Sequence, residues 1–215
     1  MSLPELERLV EVMARLRQAC PWDAEQTHRS LVQYLIEETA ETVEAIEADD
    51  RDLLREELGD LLLQVLFHSE IAAERSDGFG LEDVARGIAD KLVARHPYVF
   101  AAGEVPSDLN YSWEQRKAVE KGRRSVLDGI PEQLSALARA NKIISRVRSR
   151  RVGLGLPDEP VTAEQVGAEI LALAARAEAA GIDPDQAVRD ALRGLERQVA
   201  AAETPTSTRP SDCPR

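Results

Sequence analysis

Between residues 31 and 66 five carboxylates recur at helical spacing inside two apolar runs. The first run, LVQYLIEETAETVEAIEADD, carries Glu37, Glu38 and Glu41. The second, RDLLREELGDLLLQVLFHSE, carries Glu57 and Asp60. The pattern is EExxE, fifteen residues, then ExxD. At about 100° per residue, Leu31, Val32, Leu35, Thr39, Val43 and Ile46 share one arc of the first helix. Leu54, Leu58, Leu61, Leu62 and Val65 share one arc of the second. Each helix is amphipathic, so these arcs are expected to be the buried stripes, each bordered by a carboxylate seam. A turn near Ala48–Arg51, with Asp49 or Asp50 as cap, makes the pair antiparallel. Counted outward from that turn, Glu41 meets Glu57 in depth and Glu38 meets Asp60.

Anions gathered this closely repel unless protons or cations intervene. No Lys lies between 31 and 70, and Arg51 and Arg55 sit near the turn. A divalent cation is the simplest remedy, and an all-oxygen cage favours Mg²⁺, with Mn²⁺ as substitute. A pair of solvated acidic helix faces is the other reading, because the same stretch supports ordinary i,i+4 pairing.

The rest of the composition narrows the class. Ala, Leu, Glu and Arg dominate the 215 residues, and aromatics make up only 4%. That favours an all-α chain with an aliphatic core. A net charge of −12 speaks against nucleic acid or an anionic membrane as partner. No run is long and apolar enough to span a bilayer, the first residues do not resemble a signal peptide, and Cys20 and Cys213 suggest no disulfide framework. A soluble, cytoplasmic protein is expected.

In chain order, a helix over 4–18 ends at Pro21, and Thr27 or Ser30 should cap the next one. Trp22 is a core plug or a stacking platform for a base. Glu25 and His28 form a single ExxH, too little for a di-iron bundle, and His68 is expected to be structural. A turn at 76–80 precedes a helix ending before Pro97, on which Lys91 and Arg95 share a face. They grip phosphate oxygens or form a solvated basic helix end. A loop over 101–112 leads to a short helix with Trp113 and Lys117. A helix started by Pro131 should then end in a solvated basic cluster, and 152–160 reads as a linker. Helices at about 162–180 and 184–202 follow, and the tail is expected to be disordered.

The last two helices resemble a faded copy of 56–98. Laying EELGDLLLQVL on EQVGAEILALA matches Gly59 to Gly167, and turns Glu57 into Gln165 and Asp60 into Ala168. A further match of Leu92 to Leu195 turns Lys91 into Gly194 and Arg95 into Gln198. The polar positions of interest are lost and apolar ones persist, which describes scaffold. The expected division is a catalytic domain over 1–125, a connecting helix and linker over 126–160, a degenerate copy over 161–202 and a tail over 203–215.

CPWDAEQTHRSLVQYLIEETAE, EELGDLLLQVLFHSEIA and DKLVARHPYVF together resemble the MazG family of nucleoside triphosphate pyrophosphohydrolases. The resemblance implies an all-α fold of four-helix-bundle type that dimerises around Mg²⁺ and cleaves a nucleoside triphosphate into monophosphate and pyrophosphate. By motif it implies Glu37, Glu38, Glu41, Glu57 and Asp60 as metal ligands, with Glu37 or Glu38 orienting or deprotonating the attacking water. It implies Lys91, Arg95, Trp113 and Lys117 as substrate contacts, beside Trp22. A narrower deoxynucleotide or alarmone hydrolase is the rival enzyme. A non-catalytic, nucleotide- or metal-binding helical dimer that regulates a partner is the rival of another class.

Overall fold

The computed structural model describes residues 2–204. Every regular element among them is helical. The expected character of the tail falls on 205–215, outside the described residues. The chain divides after His96 into two compact units.

In the first unit α1 (Pro4–Ala19) ends where Cys20 turns extended, and Pro21 opens the short α2 (Pro21–Glu25). Proline is tolerated there because the first-turn N–H has no intrahelical partner. α3 (Val32–Glu47), α4 (Arg51–Ala73) and α5 (Leu81–Arg95) complete the unit. The expected Thr27 or Ser30 cap on α3 is not formed. Thr27 and Ser30 instead bond each other's backbone N–H groups with their hydroxyls, at 3.0 and 3.1 Å, and close a turn of their own.

α4 is the centre of this unit, with α1, α3 and α5 packed against it. Met13, Leu31, Leu66 and Phe67 form its core, with Leu9, Tyr34, Leu63 and Ile71 around them. Arg17 ties the ends together: its guanidinium binds the Glu74 carboxylate and donates to the carbonyls of Asp23 and Gln26. The connection between α3 and α4 is the predicted short turn. Asp50 is its cap and accepts from the N–H groups of Asp52 and Leu53 at 3.0 and 3.1 Å. Asp49 takes the left-handed conformation, φ 53°, that ends α3.

One expectation about this pair is corrected in part. Leu31 is in the core and Leu54 and Leu61 are half-buried, but the rest of the apolar arcs is not buried within this chain. Val32, Leu35, Val43 and Ile46 on α3, and Leu58, Leu62 and Val65 on α4, are exposed, Ile46 to 58% and Leu58 to 52%. The residues buried on these helices include Thr42, Ala45, Glu57 and Gln64. Of the carboxylate seam Glu57 is buried and Glu38 and Asp60 are half-buried, while Glu37 and Glu41 stay exposed.

The second unit contains α6 (Pro97–Phe100), α7 (Leu109–Glu120), α8 (Ala136–Ser149), α9 (Ala163–Ala179) and α10 (Pro184–Glu203). α10 packs on α8, with Val126, Ile130, Ile143, Val147, Leu192 and Val199 in the core. Three expectations are corrected here. α8 does not start at Pro131: Ser135 caps it by accepting from the Ala138 N–H, and the residues before it form turns. The stretch 152–160 is not a plain linker, because Val152, Leu154 and Leu156 pack against the core. The basic end of α8 is not simply solvated. Arg146 is 3% exposed and donates from Nη1 to the carbonyls of Val126 and Asp128, at 2.9 and 2.8 Å.

Arg146 therefore staples the loop before α8. Arg146→Met keeps most of the aliphatic packing and orphans two carbonyls. We expect it to lower stability by about 2–4 kcal/mol, read as an earlier midpoint in urea unfolding. A midpoint unchanged within error shows that the staple contributes nothing.

Candidate metal centre

α3 and α4 run antiparallel from a capped turn, so depth along one helix sets depth along the other. Glu38, Glu41 and Glu57 each bring one carboxylate oxygen to a common point, all within 4.8 Å of one another. Glu57 is only 7% exposed, although it is a carboxylate. Burial pushes its carboxyl above the usual range, and the charges of Glu41, Asp60 and Glu56 add to that. Glu38 is raised in the same way, first by burial, then by Asp60, Glu41 and Glu57 and by a hydrogen bond with Glu41. Asp60 thus acts electrostatically on both.

This arrangement has a specific chemistry. Like charges at such range raise each other's affinity for protons, and a multivalent cation competes for the same oxygens. The donors are all hard oxygen, and no nitrogen or sulfur atom joins the cluster. The group could therefore hold a metal ion of the kind that prefers carboxylates.

Glu37 is exposed and lies outside the cluster. Lys91 and Arg95 both lie on α5, four residues apart, Lys91 exposed and Arg95 half-buried. Trp22 is half-exposed on α2, its ring meeting Tyr34 and Phe67 edge-on at 5.9 and 6.3 Å between centroids. It is not the buried plug that one reading of the sequence expects. Trp113 and Lys117 belong to the second unit. There Trp113 lines a pocket of about 450 Å³ with Tyr111, Asn141 and Ser145, and Lys117 pairs with Glu114 at 3.4 Å.

Several polar contacts lie outside the sequence expectations. Glu114 faces Arg123 and Arg146 as well as Lys117, at 4.0 and 3.9 Å for the two arginines. His28 and His68 hydrogen-bond through their Nδ1 atoms at 2.8 Å with rings stacked. Gln64, one turn after Asp60, is buried. Its signal was available: i+4 from Asp60 places it on the seam.

The model of the MazG nucleotide pyrophosphohydrolase domain matches residues 26–100, the segment that holds this centre. An uncharacterised 26.1 kDa protein of Streptomyces cacaoi is 47% identical over 91% of this chain and 81% of its own length. The chain belongs to the MazG family. A protein of Mycobacterium tuberculosis named nucleoside triphosphate pyrophosphohydrolase is 42% identical over 91% of this chain and 60% of its own length. The nucleoside triphosphate pyrophosphohydrolase/pyrophosphatase MazG of Thermotoga maritima is 42% identical over 76% of this chain and 64% of its own. The chain thus spans somewhat under two thirds of these two named relatives. No helix among the described residues is long and apolar enough to cross a membrane.

Proposed function

We propose that this MazG-family chain is a Mg²⁺-dependent nucleoside triphosphate pyrophosphohydrolase that clears the cytoplasmic nucleotide pool. The observation that carries the reading is the convergence of Glu38, Glu41 and Glu57 within 4.8 Å on a segment that matches the family domain. Bound there, Mg²⁺ supplies a counter-charge for the phosphate chain and a Lewis acid. Glu38, Glu41 and Glu57 would hold it, with Asp60 and Glu37 at the edge. Glu37 or Glu38 orients the attacking water and takes its proton. The water oxygen forms a bond to the α-phosphorus, the bond from that phosphorus to the α–β bridging oxygen breaks, and pyrophosphate leaves. Lys91 and Arg95 neutralise the phosphates, and Trp22 adds a further substrate contact in the same unit.

The active unit in this reading is a homodimer. A second copy is what covers the aliphatic face of α3 and α4, where Val32, Leu35, Val43, Ile46, Leu58, Leu62 and Val65 are all exposed. The activity resides in the first unit, and the faded copy over 161–202 serves as scaffold within the second.

Incubation with ribo- and deoxynucleoside triphosphates, with Mg²⁺ or with EDTA, tests the reading. Monophosphate and pyrophosphate in equal amounts, only with metal, are expected. Triphosphates left intact under both conditions overturn it. Lys91→Ala is expected to raise KM about tenfold with kcat nearly unchanged, as loss of one charge-assisted contact to bound phosphate does. Unchanged kinetics would return Lys91 to the solvated face of α5.

A further inference from the structure

α9 is the most apolar of the longer helices in the second unit, yet none of its 17 residues is buried among the described residues. Helices in proteins owe most of their stability to an apolar face packed on a neighbour. On α9 that face is Val166, Ile170 and Leu173, all exposed, Leu173 to 59%. Ile170 and Leu173 also line a groove of about 670 Å³, together with Ala177 on α9 and with Ile182 and Val188 from the turn and α10. Residues 205–215, PTSTRPSDCPR, offer no large aliphatic or aromatic side chain to fill it.

The first unit has the same arrangement. The offset that lays Gly59 on Gly167 also lays Leu58, Leu62 and Val65, exposed on α4, on Val166, Ile170 and Leu173. With the offset that lays Leu92 on Leu195, it carries Val65, Ser69, Phe79 and Val84 onto Leu173, Ala177, Ile182 and Ala187. The first four line a pocket of the first unit, and the second four line the groove. The copy has lost its carboxylates and kept its outer apolar face. An apolar face kept on a scaffold belongs to a contact, and the equivalent face of α4 is the one a second copy covers in the proposed homodimer.

The charges beside the face say what fits it. Glu169 and Arg176 are seven residues apart, two turns, and so share one flank of α9. Neither has an ion-pair partner among the described residues. Arg139, Arg189 and Arg193 of the same unit are matched by Glu196, Asp185 and Asp190. When two α9 helices run antiparallel about a two-fold axis between residues 172 and 173, Glu169 of each meets Arg176 of the other. The flank is thus complementary to itself, which is what an isologous contact requires.

We propose that the apolar face of α9 is a second self-association surface, on which α9 of a second copy packs antiparallel with two reciprocal Glu169–Arg176 pairs at the rim. The inference rests on the homodimer proposed above and not on the reaction. A face of half a dozen side chains falls short of the roughly 800 Å² per partner of a standard interface. The contact therefore tightens the dimer made by the α3–α4 face and does not hold two copies together alone.

Sedimentation equilibrium on the full chain tests this with four proteins: the wild type, Glu169→Arg, Arg176→Glu and the double variant. Both residues are exposed on the surface of one helix, so the fold is not at stake. Each single variant sets like charges against each other twice, and is expected to raise the dimer dissociation constant about tenfold or more. The double variant rebuilds both pairs with the charges exchanged, and should return to within about threefold of the wild type. Single variants that dimerise like the wild type overturn the proposal, and are what the first unit of the same chain covering α9 produces. A double variant as weak as the single ones overturns it as well, because the two residues then do not meet. A wild-type dimer weakened by Ile46→Lys and untouched by Glu169→Arg leaves the α3–α4 interface standing and removes this one. A monomeric wild type removes both.

Discussion

Glu41→Gln is expected to lower metal-dependent turnover about a hundredfold or more and, at neutral pH, to raise the melting temperature of the metal-free protein. The two effects have one cause. Glu41 adds to the charge that raises the carboxyls of Glu38 and Glu57. A carboxyl whose folded pKa lies above its unfolded value favours the protonated fold. Its stabilising effect is complete below the ordinary value, 4.5, and is lost as pH rises through the raised one. At neutral pH the metal-free cluster therefore works against folding, and Gln at 41 relieves it. Near pH 4 the advantage of the variant should shrink, because the raised carboxyls of Glu38 and Glu57 are then protonated. Mg²⁺ should raise the wild-type melting temperature at pH 7, since a ligand of the folded state stabilises by mass action. It should do little for the variant. Calorimetric scans at pH 4 and pH 7, in EDTA and in Mg²⁺, separate these cases. A variant that melts below the wild type at pH 7 in EDTA would sink the cage.

Ile46→Lys is expected to turn a dimer into a monomer without unfolding the chain. Ile46 is 58% exposed, so its side chain contributes little to the fold of the first unit. It lies on the aliphatic face that also carries Val43, Leu58 and Leu62. In a two-fold interface each substitution occurs twice on one surface. Two unpaired ammonium groups would then be buried where apolar contact had been. The dimer dissociation constant should rise by about a thousandfold or more. Sedimentation equilibrium reads this directly, with circular dichroism to confirm retained helix. A wild type that sediments as a monomer at micromolar concentration removes the proposed dimer outright.

Much of the first unit was legible in residue order, because its signals are local. The period of 3.6 placed α3 and α4, and the Asp50 cap and short turn made them antiparallel. The spacing of Glu38, Glu41 and Glu57 then brought three carboxylates together, since rise and angle per residue are properties of the backbone. The start of α8 was misjudged between two local signals: Pro131 is compatible with a first helical turn, but the Ser135 hydroxyl offers the orphan N–H groups an actual partner.

What residue order left open was partnership. An amphipathic helix announces that it has an apolar face, and does not say which neighbour covers it. On α3 and α4 it is Thr42, Ala45 and Glu57 that are buried, while much of the aliphatic arc is left exposed. Arg146 reads as one cation in a basic run until Val126 and Asp128 supply carbonyls from twenty and eighteen residues away. His28 and His68 are forty residues apart, and only packing makes them one hydrogen-bonded pair. The sequence by itself determined helix placement, the all-α class and the carboxylate spacing, because these follow from interactions within a few residues. Tertiary structure alone decided which polar groups were buried and which of them were left without partners, because desolvation depends on atoms brought together from distant parts of the chain.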